Sequence, residues 1–222
     1  MAAETLVRPE YGPSLPALLE ARAGVSRRAT IVAGAVVLAG IVALVLLLTT
    51  SAADTTYVNK GTPVFNLRYS ASALQHPKAP AGWELELVAR RGKTFVQSFM
   101  VRRLTLPPHR GGLSGYLPVY ADAYERAISK TMTGFIPVDE GKARVNTAPG
   151  YQITYQAKQD GRTVFGRDVL VLPQDVPGAR EGAVIRMFQT HAAGVHDARF
   201  VGTVGAIKKP YRSFRFGTSA TG

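Results

Sequence analysis

The sequence predicts an α+β fold, an antiparallel sheet covered by helices, carried behind one transmembrane helix. Three observations predict it. Ala29 to Ala53 carries no charge, and Ile31 to Leu48 is almost wholly Val, Leu, Ile, Ala and Gly. Between Pro63 and Phe216, short β-branched and alternating runs are separated by turn pairs, Arg91-Gly92 and Asp160-Gly161 among them. One stretch, Leu117 to Thr131, keeps the three- and four-residue spacing of an amphipathic helix.

The apolar run comes first. A helix of about 20 apolar residues crosses the ~30 Å hydrocarbon core of a bilayer. The run has no polar stripe, which a surface helix would carry. Ser51-Ala52-Ala53 offers a peptidase site and Arg27 and Arg28 a positive flank, so a cleaved signal peptide is the rival reading. The run exceeds the ~7–15 apolar residues of a signal peptide and follows a long leader, which favours an uncleaved signal-anchor over 29–50. Arg22, Arg27 and Arg28 precede it, while Asp54 and Lys60 are the first charges after it. Positive residues stay cytoplasmic, so the N-terminus is expected inside and the C-terminal domain outside. The segment from Asp54 to Gly222 is itself net +11, but long domains translocate largely regardless of charge.

The expected organisation is a cytoplasmic tail over 1–28, the span over 29–50, a linker over 51–62, an extracytoplasmic domain over 63–216 and a disordered tail over 217–222. In the first tail Ser14 is placed to cap a helical stub, with Pro16 tolerated in its first turn; so short a helix is unstable alone. Ala35, Ala39 and Ala43 give the span a small-residue face. The chain has no cysteine, which excludes disulfides, thiol chemistry and a lipoprotein anchor. Arg outnumbers Lys, and Ala and Gly are abundant, as expected of a GC-rich bacterial genome.

Within the domain, Pro63 to Tyr69 reads as a first strand. Trp83 to Ala89 alternates, with Trp83, Leu85, Leu87 and Ala89 facing one way. Thr94 to Leu106 is β-branched and aromatic, and Arg91-Gly92 joins the two as a hairpin. Pro107 to Gly112 is a loop by its density of helix breakers. Leu117, Tyr120, Ala121, Tyr124, Ala127, Ile128 and Thr131 share a helix face, with Ser114 as N-cap and Gly134 as stop. Phe135 to Val138 and Ala143 to Asn146 are two short strands. Tyr151 to Lys158 and Arg162 to Leu172 flank the Asp160-Gly161 turn. Pro173 to Gly182 is a loop and Ala183 to Thr190 a strand. A final helix spans Asp197 to Ile207, ended by Pro210, and Ser213 to Phe216 alternates as a closing strand.

Phe65-Asn66-Leu67-Arg68-Tyr69, the Trp83 that follows, Leu104 to Pro107 before the helix and the closing Ser213-Phe214-Arg215-Phe216 resemble the PsbP/Mog1-like α/β/α sandwich domains. The resemblance covers about Pro63 to Phe216. The family pattern places a proline after the first-strand tyrosine, where Ser70 stands here. The resemblance implies a non-catalytic binding or assembly module and carries no site residue across.

Catalytic patterns are thin. His191 and His196 are five apart, with Asp197 adjacent and His109 in a distant loop, and metal ligands on a helix sit three or four apart. They are expected to be ordinary exposed or core histidines. Gly112-Leu113-Ser114-Gly115 approaches a nucleophile elbow, but Tyr116 takes the fifth position and no strand precedes it. Glu84 and Glu86 share a strand face and read as solvated. There is no phosphate-cradling loop and no dinucleotide fingerprint. No catalytic residue, cofactor or metal is expected.

The chain carries 27 Lys+Arg against 15 Asp+Glu. Arg90, Arg91 and Lys93 share a turn, Arg102 and Arg103 follow, and Lys208, Lys209, Arg212 and Arg215 interleave with Tyr211, Phe214 and Phe216. Beside an anionic bilayer each such residue gains ~1 kcal/mol near the surface. These nine are the expected anion-binding residues; the compartment argues against nucleic acid. The first expectation is a non-catalytic binding or scaffolding module of the cell envelope, with an envelope protein as partner and a large exposed apolar patch. The second is a binder of anionic lipid or wall polymer, with basic clusters on one face. The third is an envelope hydrolase joining Ser114 or a histidine to a carboxylate.

Overall fold

The computed structural model of the chain describes residues 32, 36–40 and 54–219. Among the described residues no helix is long and apolar enough to cross a membrane. The predicted tail 1–28 and span 29–50 lie outside them apart from 32 and 36–40, which are helical with Val32, Val36, Val37 and Leu38 exposed. The chain divides into two units, Met1–Ser51 and Ala52–Gly222, and the second carries the fold below.

In order its elements are β1 (Asp54–Asn59), β2 (Phe65–Ser70), β3 (Leu85–Arg91), β4 (Thr94–Thr105), α1 (Leu113–Ser129), β5 (Ile136–Val145), β6 (Ala148–Gln159), β7 (Arg162–Val171), β8 (Glu181–Gln189), α2 (Lys208–Ser213) and β9 (Arg215–Phe216). Strands β3-β4-β8-β7-β6-β5 form an antiparallel six-stranded sheet, and β1-β2-β9 form a three-stranded one. This is the α+β class.

Alternation along the strands assigns each side chain to one of two cores. On β8, Ala183, Ile185 and Met187 face the small sheet, while Val184 faces α1. Leu113, Leu117, Ala121, Tyr124 and Ile128 of α1 cover one face, packing over Tyr151, Ile153, Tyr155 and Leu170. Phe65, Leu67, Tyr69, Ile207 and Phe214 cover the other, against Leu87, Phe99, Val169 and Ile185. The second cover is thus the small sheet with short helical turns, where an α/β/α sandwich would lay helices.

The hairpins form where expected. Asp160 and Gly161 both take positive φ, 51° and 75°, the requirement of a type I′ turn. Gly92, at φ 60°, closes β3 onto β4.

Other expectations are corrected. Residues 54–59 of the expected linker form β1, whose backbone pairs with β2 from Asp54↔Ser70 to Asn59↔Phe65. Ser114 is not the N-cap: Gly112 takes that place, and Leu113 enters the helix already buried in the core. The two short strands after α1 are one, β5, kept continuous across a bulge at Pro137/Asp139 by backbone pairing with β6 and by the Thr154 hydroxyl, which donates to the Asp139 carbonyl at 3.0 Å. Trp83 lies before β3, after a turn at Gly82 (φ 82°), and stacks on Arg102 and Arg186 on the α1 side, away from the Leu85 face.

The helix expected over Asp197 to Ile207 is absent. Ala198–Phe200 is one 3-10 turn, and Gly202 and Gly205 adopt φ 80° and 73°, outside the helical region. The helix comes after it, as α2, with Pro210 at its third position, where a missing N–H costs nothing. The C-terminal tail is ordered through Ser219: Gly217 donates its N–H to the Val64 carbonyl at 3.0 Å, and Asn66 Nδ2 donates to the carbonyls of Gly217 (2.8 Å) and Ser219 (3.2 Å). Residues 220–222 lie outside the described ones.

Candidate anion-binding groove

A groove of about 500 Å³ opens where β2, β9 and α2 meet, within the ~300–1,000 Å³ of small-ligand sites. Asn66, Arg68, Ser70, Ala73, Gly205 and Ala206 line it, together with Lys208, Lys209, Arg212, Ser213 and Arg215. Five of these are cations. Lys209 also ion-pairs with Asp54 on β1.

Local structure places each one. β2 alternates, so Asn66, Arg68 and Ser70 lie on the face opposite Phe65, Leu67 and Tyr69, with Asn66 buried and Arg68 exposed. The hydroxyl of Ser213 accepts the Arg68 N–H at 2.8 Å and donates to the Arg68 carbonyl at 3.1 Å, which fixes the end of α2 on β2. Arg215 pairs with Asn66 in register. Tyr211 lies under the Arg167 guanidinium at 5.0 Å, and burial pushes its hydroxyl up while it pulls the Arg167 guanidinium down.

The loop before α2 hangs from one buried side chain. Gln189 Nε2 donates to Gln97 Oε1 and to the Val204 carbonyl, each at 3.0 Å, and its Oε1 accepts the Gly202 N–H at 2.8 Å. A Cβ on Gly205 would meet Gln97 Oε1 at 2.6 Å and Gln189 Nε2 at 2.9 Å, so glycine is required on two grounds, space and positive φ.

α2 is unfavourable as an isolated helix. Its first turn holds two lysines and no acid, where the macrodipole favours negative charge. Lys208 and Arg212 are like charges four apart, costing ~0.2–0.5 kcal/mol. Breaches of local rules of this kind concentrate at functional sites.

Of the nine basic residues singled out in the sequence, Lys208, Lys209, Arg212 and Arg215 meet in this groove. The other five do not join it. Arg90, Arg91 and Lys93 sit on the β3–β4 hairpin. Arg103 donates to Glu181 at 2.9 Å, which lowers the Glu181 carboxyl through that hydrogen bond. Arg102 is half-buried, its guanidinium 5.5 Å from the Trp83 and Tyr124 rings, with its Nε buried and unpartnered. Arg68 was missed, though its position between Leu67 and Tyr69 marks it as outward-facing.

A second polar cluster lies under α1. Asp168 is fully buried and accepts Arg186 Nε at 3.0 Å on both oxygens, Arg186 Nη2 at 2.7 Å, Tyr124 OH at 2.5 Å and Tyr155 OH at 2.9 Å. All four groups are satisfied, which is the chemistry of a structural network. Elsewhere, His109 stacks on Tyr116 at 4.1 Å, and Ser114 has no histidine or carboxylate partner among the described residues. Among those residues no group of three or more His, Cys, Asp and Glu is placed to hold a metal ion.

No protein-family model matches the chain, and no curated protein matches it. Solved structures of similar fold include the cyanobacterial PsbP (CyanoP) of Synechocystis sp. PCC 6803, 11% identical over 76% of this chain and 95% of that one, TM-score 0.45. LpqN of Mycobacterium tuberculosis, involved in cell envelope biogenesis, is 11% identical over 75% of this chain and 86% of its own, TM-score 0.37. A Pseudomonas aeruginosa protein of unknown function is 16% identical over 63% of this chain and 84% of its own, TM-score 0.31. Each is a low-identity similarity of fold.

Proposed function

We propose that the chain is a single-pass, N-in membrane-anchored module of the cell envelope, non-catalytic, whose outer domain holds anionic phospholipid headgroups in the groove between β2, β9 and α2. The observation that carries this reading is the convergence of Arg68, Lys208, Lys209, Arg212 and Arg215 on one concave site. Attraction of ~1 kcal/mol per basic residue near an anionic surface makes five together a strong bias, provided they lie within a Debye length, ~8 Å at physiological salt. Asp54 ion-pairs with Lys209 at the groove.

The apolar partner surface expected of a protein scaffold has less support. Val64, Val119, Ile136, Val138, Val176, Phe200 and Val204 are exposed, Ile136 and Val138 together on β5 and Phe200 and Val204 both between β8 and α2. Exposed apolar residues are by themselves ordinary on a folded surface.

The test is amide exchange of the full chain in nanodiscs, comparing zwitterionic lipid with lipid containing phosphatidylglycerol. The amides of 205–215 should gain protection only with anionic lipid, and lose it as salt shortens the Debye length towards ~3 Å at 1 M. An Arg68→Glu/Arg212→Glu double variant should show no gain. Protection indifferent to salt and lipid charge would end the proposal. Protection raised in zwitterionic discs by soluble polyphosphate alone would assign the groove to a wall polymer instead.

A further inference from the structure

The loop after β8 brings two histidines together that the sequence holds apart. His191–Ala193 is a 3-10 turn hung from Thr190, whose N–H and hydroxyl both donate to the Val96 carbonyl at 3.0 Å. Gly194, at φ 81°, turns the chain back, and its N–H bonds the His191 carbonyl at 2.9 Å. Val195 and Ala198 are buried and pin the returning strand of the loop. His191 and His196 therefore face each other, Nδ1 to Nδ1 at 3.0 Å, with ring centroids 5.0 Å apart and planes at 37°. The Phe165 ring meets His191 edge-on at 5.0 Å. Both histidines are exposed, so the pair is open to solvent.

We propose that His191 and His196 form a two-imidazole site for a divalent transition-metal ion of the Cu2+ or Ni2+ type. Imidazole nitrogens bind such metals at about 2.0–2.1 Å, so two nitrogens 3.0 Å apart subtend roughly 94° at a shared ion. That is the cis edge of a square-planar centre, which Cu2+ and Ni2+ prefer, and it falls short of the ~109° of tetrahedral zinc. In the metal-free pair one Nδ1–H is shared between the rings. Binding moves that proton to Nε2 of the same ring, by tautomer exchange through water, and frees both Nδ1 lone pairs with no net proton lost. The loop holds the pair in place beforehand, which reduces the ordering cost of binding.

Asp197 is not a third ligand. Its Oδ1 accepts the Arg199 N–H at 2.9 Å and Nε at 3.1 Å, and its Oδ2 accepts Arg199 Nη2 at 2.6 Å. Water completes the coordination. The i, i+5 spacing matches no helical template because a 3-10 turn and a left-handed glycine, and not a helix, bring the rings together.

The test titrates the full, metal-stripped chain in detergent with Cu2+ alone, followed by electron paramagnetic resonance. One equivalent should bind with two coupled nitrogens. Outer-shell changes alone weaken metal sites about 10–100-fold, so His191→Gln or His196→Gln should weaken binding at least about tenfold, whereas His76→Gln and His109→Gln should not. Wild-type affinity in either His191 or His196 variant, or equal loss in the His76 or His109 variants, overturns the proposal. Should a variant fail to fold, the nitrogen count of the wild-type spectrum decides: two supports the site and any other number overturns it.

Discussion

Asp168 and Arg186 are register partners on β7 and β8, and they place a carboxylate and a guanidinium 2.7 Å apart under α1, with side-chain exposures of 0% and 14%. The pair belongs to a row that crosses the sheet as Glu86, Met100, Arg186 and Asp168. Burial pulls the Arg186 guanidinium down, but the charge and hydrogen bonds of Asp168 push it up further, so it stays charged.

Removing one partner strands the other. Asp168→Asn is expected to cost about 3–5 kcal/mol, because a buried arginine loses its counter-charge. An Asp168→Leu/Arg186→Met double variant, which removes both charges, should recover much of that loss. Urea denaturation of the three proteins measures it. A double variant no more stable than the single would show that the pair is not coupled.

The same network predicts loss of stability in alkali. Burial, reinforced by the Asp168 charge, pushes the Tyr124 and Tyr155 hydroxyls well above the ordinary value near 10. Above about pH 10 the unfolded chain releases these protons while the folded one keeps them. The unfolded state then binds fewer protons, so stability is full below pH 10 and falls as pH rises, by at most about 2.7 kcal/mol per pH unit for the two together. Tyr124→Phe or Tyr155→Phe should flatten that slope. Slopes unchanged in both variants would remove these tyrosines from the account.

Gly166 faces Tyr155 across β6 and β7, and a Cβ there would lie only 2.3–2.8 Å from atoms of the tyrosine ring. Gly166→Ala must push that ring off Asp168. Overpacking of this kind costs about 1–3 kcal/mol, and a melting temperature lowered by several degrees is the expected readout. An unshifted melting curve would mean that the ring has somewhere else to go.

These relationships show which parts of the fold were legible in sequence. The Asp160-Gly161 turn and the Leu113-to-Ile128 face were, because turn chemistry and helical spacing are local. β1 was not, since Asp54 to Asn59 offers only Tyr57 and Val58 as apolar residues and is held by backbone pairing to the next strand, β2. β5 was split for the same reason, as an edge strand that is almost wholly exposed. The groove was half legible. Lys208, Lys209, Arg212 and Arg215 lie close in the chain, but Arg68 reaches them through the β2–β9 pairing and the Ser213 bonds, the latter across 145 residues. The His191–His196 pair was hidden because its contact depends on the conformation of Gly194.

Gln189 is where the core controls the groove. Its amide satisfies Gln97, Gly202 and Val204, which fixes the loop ahead of α2. Gln189→Leu leaves the buried Gln97 amide and Gly202 N–H without this partner, at about 1–3 kcal/mol each. The variant should lose stability and also the lipid-dependent protection of 205–215. Loss of stability with protection intact would detach the loop from the groove.

Asp54 gives the sharpest separation of fold from function. It is a carboxylate that ion-pairs with Lys209, and both side chains are partly exposed. Exposed pairs contribute only about 0–1 kcal/mol, so Asp54→Asn should melt close to wild type. The groove, meanwhile, gains a full unit of positive charge at its edge. If the groove acts through charge, the variant should bind phosphatidylglycerol-containing nanodiscs more tightly and need more salt for release, the opposite of Arg68→Glu/Arg212→Glu. Asp54→Asn therefore raises lipid affinity at constant stability, an outcome that a purely structural basic cluster would not produce. Equal salt midpoints in Asp54→Asn and wild type would count against headgroup binding at this site.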